Sequence, residues 1–225
     1  MHLPQNSPSS IESLLARAQQ LAGLTLGDLA ELANVVVPDN FKREKGWSGQ
    51  LIEMWLGATA GSKPQQDFPE LGVELKTLPI NHFGAPSETT YVCYAPLLGQ
   101  EQTTWLTSNV YNKLQQVLWI PIIGERSVAP ANRCVGMPIL WRPSEQQNAQ
   151  LKCDWEELME LISLGEIEQI TARHGEVLQL RPKAADGSIL TDAIGRDGAV
   201  VKTRPRGFYL RKTFTQQILN NAFGD

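Results

Sequence analysis

Residues 117–123, Val-Leu-Trp-Ile-Pro-Ile-Ile, carry no polar side chain at any of their positions. A strand that shows one face to water alternates apolar with polar, so an unbroken apolar run reads as a strand buried on both faces. A chain containing such a strand needs other layers to cover it, and capped amphipathic segments supply them. Ser9 with Glu12 reads as a capping box ahead of Leu14, Leu15, Ala18, Leu21 and Ala22, stopped by Gly23; Thr25 with Asp28 repeats the box ahead of Leu29, Leu32 and Ala33. A third helix is predicted over about 49–59, with Leu51, Ile52, Trp55 and Leu56 inward and Glu53 between the two pairs. Ser144 caps a long helix to about Leu164, with Leu151, Trp155, Leu158, Met159 and Ile162 on its inner face. Further strands are predicted over 73–78, 90–96, 177–181 and 207–211, with a short helix over 108–116. A Gly/Asp-rich connection joins the last two strands, and a short polar helix starts near Thr213. Strands flanked by helices in mixed order make an α/β protein. With no internal repeat and no long linker, residues 1–225 form a single domain.

Composition narrows the function classes. The three cysteines, Cys93, Cys134 and Cys153, form no C-x-x-C pair, which argues against a zinc site or a disulfide framework and leaves them as small buried or half-buried hydrophobes. No apolar run is long enough to span a bilayer, and Met1–Ser10 has no basic residue ahead of an apolar stretch. The expected location is the cytoplasm, with no membrane partner. Net charge is −4, which by itself speaks against a nucleic-acid partner. Its distribution speaks the other way: Thr171–Lys212 holds nine Lys/Arg and four acids, so that stretch carries about +5 and the remainder about −9. One face tolerates phosphates and another does not.

The segment Asp67-Phe-Pro-Glu-Leu-Gly-Val-Glu74-Leu-Lys76 is where chemistry concentrates. Side chains two apart on a strand share a face, so Glu74 and Lys76 project together, about 6–7 Å apart along it, with Val73, Leu75 and Thr77 opposite. Pro69 and Gly72 can swing the carboxylate of Asp67 back toward Glu74. Phosphodiester hydrolysis needs a hard cation against the charge growing on phosphate and a water activated at neutral pH. Two carboxylates offer oxygen ligands to magnesium, and a lysine can hold the phosphate or orient the water. From pattern alone, an exposed strand face bearing a surface ion pair accounts for Glu74 and Lys76 as well.

Longer words around this motif resemble a known family. Lys45-Gly-Trp-Ser-Gly, Glu53-Met-Trp-Leu-Gly-Ala-Thr-Ala-Gly-Ser-Lys-Pro, the Asp67–Thr77 segment, Val117-Leu-Trp-Ile-Pro, Gly124-Glu-Arg-Ser, Ile170-Thr-Ala-Arg-His-Gly-Glu, Arg181-Pro-Lys-Ala and Pro205-Arg-Gly-Phe-Tyr-Leu-Arg-Lys resemble the MutH family in order and over nearly the whole chain. That family comprises the strand-nicking endonucleases of bacterial methyl-directed mismatch repair. The resemblance implies a restriction-endonuclease-like mixed sheet, with two lobes around a DNA cleft: a catalytic lobe over roughly 1–105 and a DNA-reading lobe over roughly 106–225. It implies Asp67 and Glu74 as metal-binding carboxylates, the carbonyl of Leu75 as a further ligand, and Lys76 as the catalytic lysine. Glu53 and Lys113 match an acid and a second lysine near the same site; as residues alone they read as helix-surface charge. The implied cofactor is Mg2+, with Mn2+ as a substitute. The implied partners are duplex DNA containing GATC, MutL as activator and MutS indirectly, with the protein acting as a monomer. The family cuts the unmethylated strand 5′ of the G, at hemimethylated sites included.

Base-edge contacts are implied at Arg181, Pro182 and Lys183, and guanine O6/N7 is the usual target of such cations. Tyr209 matches a tyrosine near the adenine whose methylation is sensed; the alternative is a core or rim aromatic. Lys45, in Lys42-Arg-Glu-Lys45, is a phosphate contact or a solvated basic turn. Tyr91 stands where the family has phenylalanine, keeping the ring and adding a hydroxyl. His174 reads as structural, and Asp154, Glu156, Glu157 and Glu160 as the solvated face of their helix. Competing readings are a stand-alone restriction endonuclease of GATC type, and a non-catalytic DNA-binding repair scaffold.

Overall fold

The computed structural model describes residues 2–39, 46–61, 63–125, 127–183 and 188–224. Lys45, the expected phosphate contact, lies outside them. The chain divides into two compact units, one of Met1–Ser87, Gln115–Arg142 and Leu219–Asp225, the other of Glu88–Leu114 and Pro143–Ile218. This differs from a single boundary near residue 105, because the strand following 115 pairs with one that precedes 88.

In the first unit come helices α1 (Ile11–Leu21), α2 (Leu26–Leu32) and α3 (Trp47–Leu56), then strand β1 (Glu74–Ile80). The Thr25/Asp28 box caps α2 as expected, but α1 is capped by Ser10 with Ser13, not by Ser9 with Glu12. Adjacent serines leave the register open in sequence. Glu12 still sits in the first turn, where the N-terminal partial charge favours an acid. The chain then enters the second unit for β2 (Thr90–Tyr94) and α4 (Asn109–Leu114). It returns for β3 (Val117–Ile123), β4 (Cys134–Val135) and β5 (Ile139–Trp141).

Strand β3 is the hub. It pairs parallel to β1, with Glu74 opposite Val117 and Lys76 opposite Trp119, and antiparallel to β5 and β4. Pro121 is tolerated mid-strand because it falls between Trp119, where β5 ends, and Ile122, where β4 begins. Leu118, Ile120 and Ile122 pack with Leu75 into a core that includes Leu14, Leu29, Ile52 and Trp55 of α1–α3. Trp119 is fully buried on the other face, edge-on to Trp141.

The second unit continues with α5 (Glu145–Ser163), β6 (Leu178–Pro182), β7 (Thr191–Ile194), β8 (Val200–Thr203), β9 (Arg206–Leu210) and α6 (Lys212–Phe223), whose last residues group with the first unit. Ser144 with Gln147 caps α5. Strands β2, β9 and β6 form an antiparallel sheet in that order, while β7 and β8 form a separate hairpin inside the Gly/Asp-rich connection. Glu168 accepts the Thr203 hydroxyl of β8 and pairs with Arg206 of β9 at 3.1 Å. The Thr203 hydroxyl first, and then Arg206, hold its carboxyl below the usual carboxylate range. The last helix is neither short nor polar: Phe214, Ile218 and Leu219 are buried at helical spacing.

Asp154 corrects the solvated-face reading of α5. It is 5% exposed, and its carboxylate accepts the N–H groups of Glu176, Val177 and Leu178 at 2.7–3.0 Å. Arg211 takes the carbonyls of the same loop, donating to Ala172, His174 and Gly175. An anion therefore collects the loop's donors and a cation its acceptors, fixing the entry to β6. His174 is structural as read, its Nδ1 accepting the Thr171 N–H at 3.0 Å. Of the cysteines, Cys93 is buried and Cys134 half-buried, but Cys153 is exposed on α5. Among the described residues no helix is long and apolar enough to cross a membrane.

Candidate functional site

Local chain geometry brings Asp67 to β1. Phe68 and Val73 exchange backbone hydrogen bonds across a 3-10 turn over Pro69–Leu71, and Gly72 closes it at φ +64°, a left-handed conformation that suits glycine. Gln66, nearly buried, donates to the Gly72 carbonyl at 2.9 Å and holds the turn shut. The carboxylate of Asp67 then accepts the Leu75 N–H at 2.8 Å. In an extended strand a residue turns its N–H and C=O to the same side. Glu74 gives its N–H to Gln116, on the β3 side, so Leu75 turns both groups to the opposite edge of β1. The Leu75 carbonyl thus shares an edge with Asp67.

Glu74 and Lys76 meet directly, Lys76 Nζ donating to Glu74 Oε1 at 2.6 Å. Their side chains are 2% and 16% exposed, so this is no surface ion pair on a solvated strand face. Asp67, Glu74 and the Leu75 carbonyl are hard oxygen donors gathered within one strand end and its preceding turn. That donor set fits magnesium or manganese.

Glu53 and Lys113, the further acid and lysine expected near this site, lie on α3 and α4. A methyl built on Gly49 of α3 lies 3.9 Å from both Glu53 Oε1 and Thr77 Oγ1, which puts the Glu53 carboxylate on the side of α3 that meets β1. Lys113 lies on α4 in the second unit, with its side chain buried.

Tyr91, Tyr209, Arg181 and Lys183 converge on one face of the β2–β9–β6 sheet. Tyr91 is opposite Tyr209, Tyr209 opposite Gln179, and Gly207 opposite both Tyr94 and Arg181. The Tyr91 ring is seated over Gly207, edge-on to Tyr209 at 5.4 Å and to Tyr94 at 5.8 Å. Lys183 Nζ lies 4.4 Å over the Tyr91 ring and Arg181 5.6 Å over that of Tyr209, within cation–π range. Arg181 also donates to the Thr89 hydroxyl at 2.8 Å. Burial pushes the Tyr91 phenol up; burial raises that of Tyr209 too, with Arg181 pulling it partly back. Pro182 is exposed but, by strand alternation, on the other face from Arg181.

The family model for the DNA mismatch repair enzyme MutH matches residues 56–154. The DNA mismatch repair protein MutH of Escherichia coli O1:K1 / APEC is 60% identical over 216 residues, covering 96% of this chain and 94% of that one. Those of Escherichia coli O139:H28 and Shigella boydii serotype 18 are 59% identical over the same shares. The chain belongs to the MutH family. The fold of that family is restriction-endonuclease-like, and the mixed sheet and helices described above agree with it.

Sequence reasoning on this MutH-family chain missed Tyr94, Gly207 and Gln66. Tyr94 was hidden by a bulge at Val92, which shifts the pairing between Tyr91 and Cys93 and so reverses the strand's alternation. Gly207 leaves a measurable signature. A Cβ there would lie 2.8 Å from the Tyr91 ring and 3.3 Å from Lys183 Cβ. Gly207→Ala is therefore expected to cost about 1–3 kcal/mol by displacing the ring. Thermal unfolding reads that loss, and an unchanged melting temperature would show that the ring is free to move.

Proposed function

We propose that this chain is an endonuclease that nicks the unmethylated strand of duplex DNA 5′ of the G in GATC, hemimethylated sites included, in methyl-directed mismatch repair. One observation carries the reading: Asp67 is tied to the strand of the Glu74–Lys76 pair in a chain 60% identical to a DNA mismatch repair protein MutH. Asp67, Glu74 and the Leu75 carbonyl would hold Mg2+, or Mn2+ in its place. When bound, the ion supplies positive charge against the phosphate and lowers the pKa of a coordinated water. Lys76 has one donor on Glu74 and two more to hold a phosphate oxygen or orient the attacking water. Glu53 and Lys113 assist the same reaction. Arg181 and Lys183 read guanine, and Tyr209 excludes an N6-methyl group sterically, with Pro182 and Tyr91 shaping the surface and Lys45 on a phosphate. The protein acts as a cytoplasmic monomer that MutL stimulates after MutS finds a mismatch.

The test is a GATC-containing supercoiled plasmid with magnesium. Nicked circles are expected, faster with MutL and ATP, and none with a chelator or with a plasmid lacking GATC. Early linear product without MutL indicates a stand-alone restriction endonuclease. DNA retardation with no cleavage at any magnesium concentration indicates a scaffold.

A further inference from the structure

We infer that Tyr94 is a DNA-backbone contact of the reading face, its phenol hydroxyl donating to a phosphodiester oxygen beside the bases that Arg181 and Lys183 read. The inference rests on the function proposed above and adds a residue to it.

Regular alternation from Tyr91 puts Cys93 on the same side and Tyr94 on the opposite one. The extra residue at Val92 reverses this: Cys93 is 5% exposed beside buried Phe208, while Tyr94 stands opposite Gly207 on the face of Tyr91 and Tyr209. Bulges give up regular ladder pairing to re-aim a side chain, and are frequent next to active sites. Here the side chain re-aimed is a tyrosine left 58% exposed. It is nevertheless fixed, edge-on to Tyr91, which is itself held between Gly207, Tyr209 and Lys183. Tyr94 also lines an open hollow of about 420 Å³ with Leu98, Asp192 and Arg206, so its free side is uncovered.

The chemistry selects phosphate over base. Across the β9 strand, Tyr94 and Arg181 flank Gly207, about 10 Å apart at two strand spacings. An arginine on a base edge at one side leaves the other side of the row over the backbone. A tyrosine hydroxyl is a neutral donor of the kind that fixes register on a duplex without reading sequence.

Equilibrium binding with calcium in place of magnesium tests this, using a GATC duplex and a duplex lacking it. Tyr94→Phe keeps the ring and its contact with Tyr91, so the fold is retained. It should weaken binding to both duplexes by the same factor, about three- to tenfold for one lost hydrogen bond. Arg181→Ala should instead reduce the preference for GATC. If Tyr94→Phe binds both duplexes as the wild type does, the hydroxyl makes no contact and the inference fails. A loss confined to the GATC duplex overturns the phosphate assignment in favour of a base. A wild type that shows no preference for GATC overturns the function itself, whatever Tyr94 does.

Discussion

Replacing Lys76 by alanine should lower plasmid nicking at least about 100-fold, in the range of losing a positioned charge that acts on the transition state. The ammonium sits 2.6 Å from Glu74 and keeps donors in hand for substrate. Removing it alone also takes away the cation that sits 2.6 Å from the Glu74 carboxylate, which is 2% exposed, and that is costly to the fold. The double variant Glu74→Gln with Lys76→Met separates the two effects. It removes both charges at similar volume, and should melt near the wild-type temperature while nicking no better than Lys76→Ala. Both variants should still bind a GATC duplex, because the cations proposed to read it are Arg181 on β6 and Lys183 just after it. Wild-type nicking rates in either variant would remove Lys76 from the chemistry.

The second large effect concerns stability. Asp154→Ala leaves the N–H groups of Glu176, Val177 and Leu178 without their acceptor. Each unsatisfied buried donor costs about 1–3 kcal/mol, and water entering the space recovers part of it, so a loss of roughly 3–5 kcal/mol is expected. For a chain of this size that lowers the melting temperature by roughly 6–20 °C. Asp154→Asn keeps one acceptor oxygen and should fall between. Thermal unfolding followed by circular dichroism gives the answer; a shift under about 2 °C for the alanine variant would mean that the loop holds without the carboxylate. The loop leads into β6, so the damage should extend to the preference for GATC proposed for Arg181 on that strand and Lys183 just beyond it.

What the sequence made legible follows from how local each signal is. Helix α5 was readable from one serine cap and an apolar stripe, and the structure starts it at Glu145 as the cap requires. The all-apolar run at 117–123 revealed a buried strand because every residue said the same thing. The β7–β8 hairpin was not readable, since its turn residues dominate two short strands. Asp154 was misread because its acid neighbours are solvated, and only a partner 22 residues away distinguishes it. Tyr94 was missed because a single extra residue inverts the parity on which strand reading depends. At the cutting end, spacing alone suggested that Asp67 could reach Glu74. Its docking on the Leu75 N–H could not be read from letters, because it depends on which edge of β1 stays away from β3.

That docking has a consequence for how the cutting centre arises. Asp67 and Leu75 are eight positions apart, and the intervening chain is closed by the Phe68–Val73 exchange and the Gln66 amide. Bringing together the ends of so short a loop costs little chain entropy, and local contacts form early. The donor oxygens are therefore marshalled by a fragment that can take shape during synthesis, before residues 115–123 have been added to lie alongside it. The residues proposed to cut can thus take shape first, while Arg181, Lys183 and Tyr209, proposed to aim the cut, are made in the last quarter of the chain.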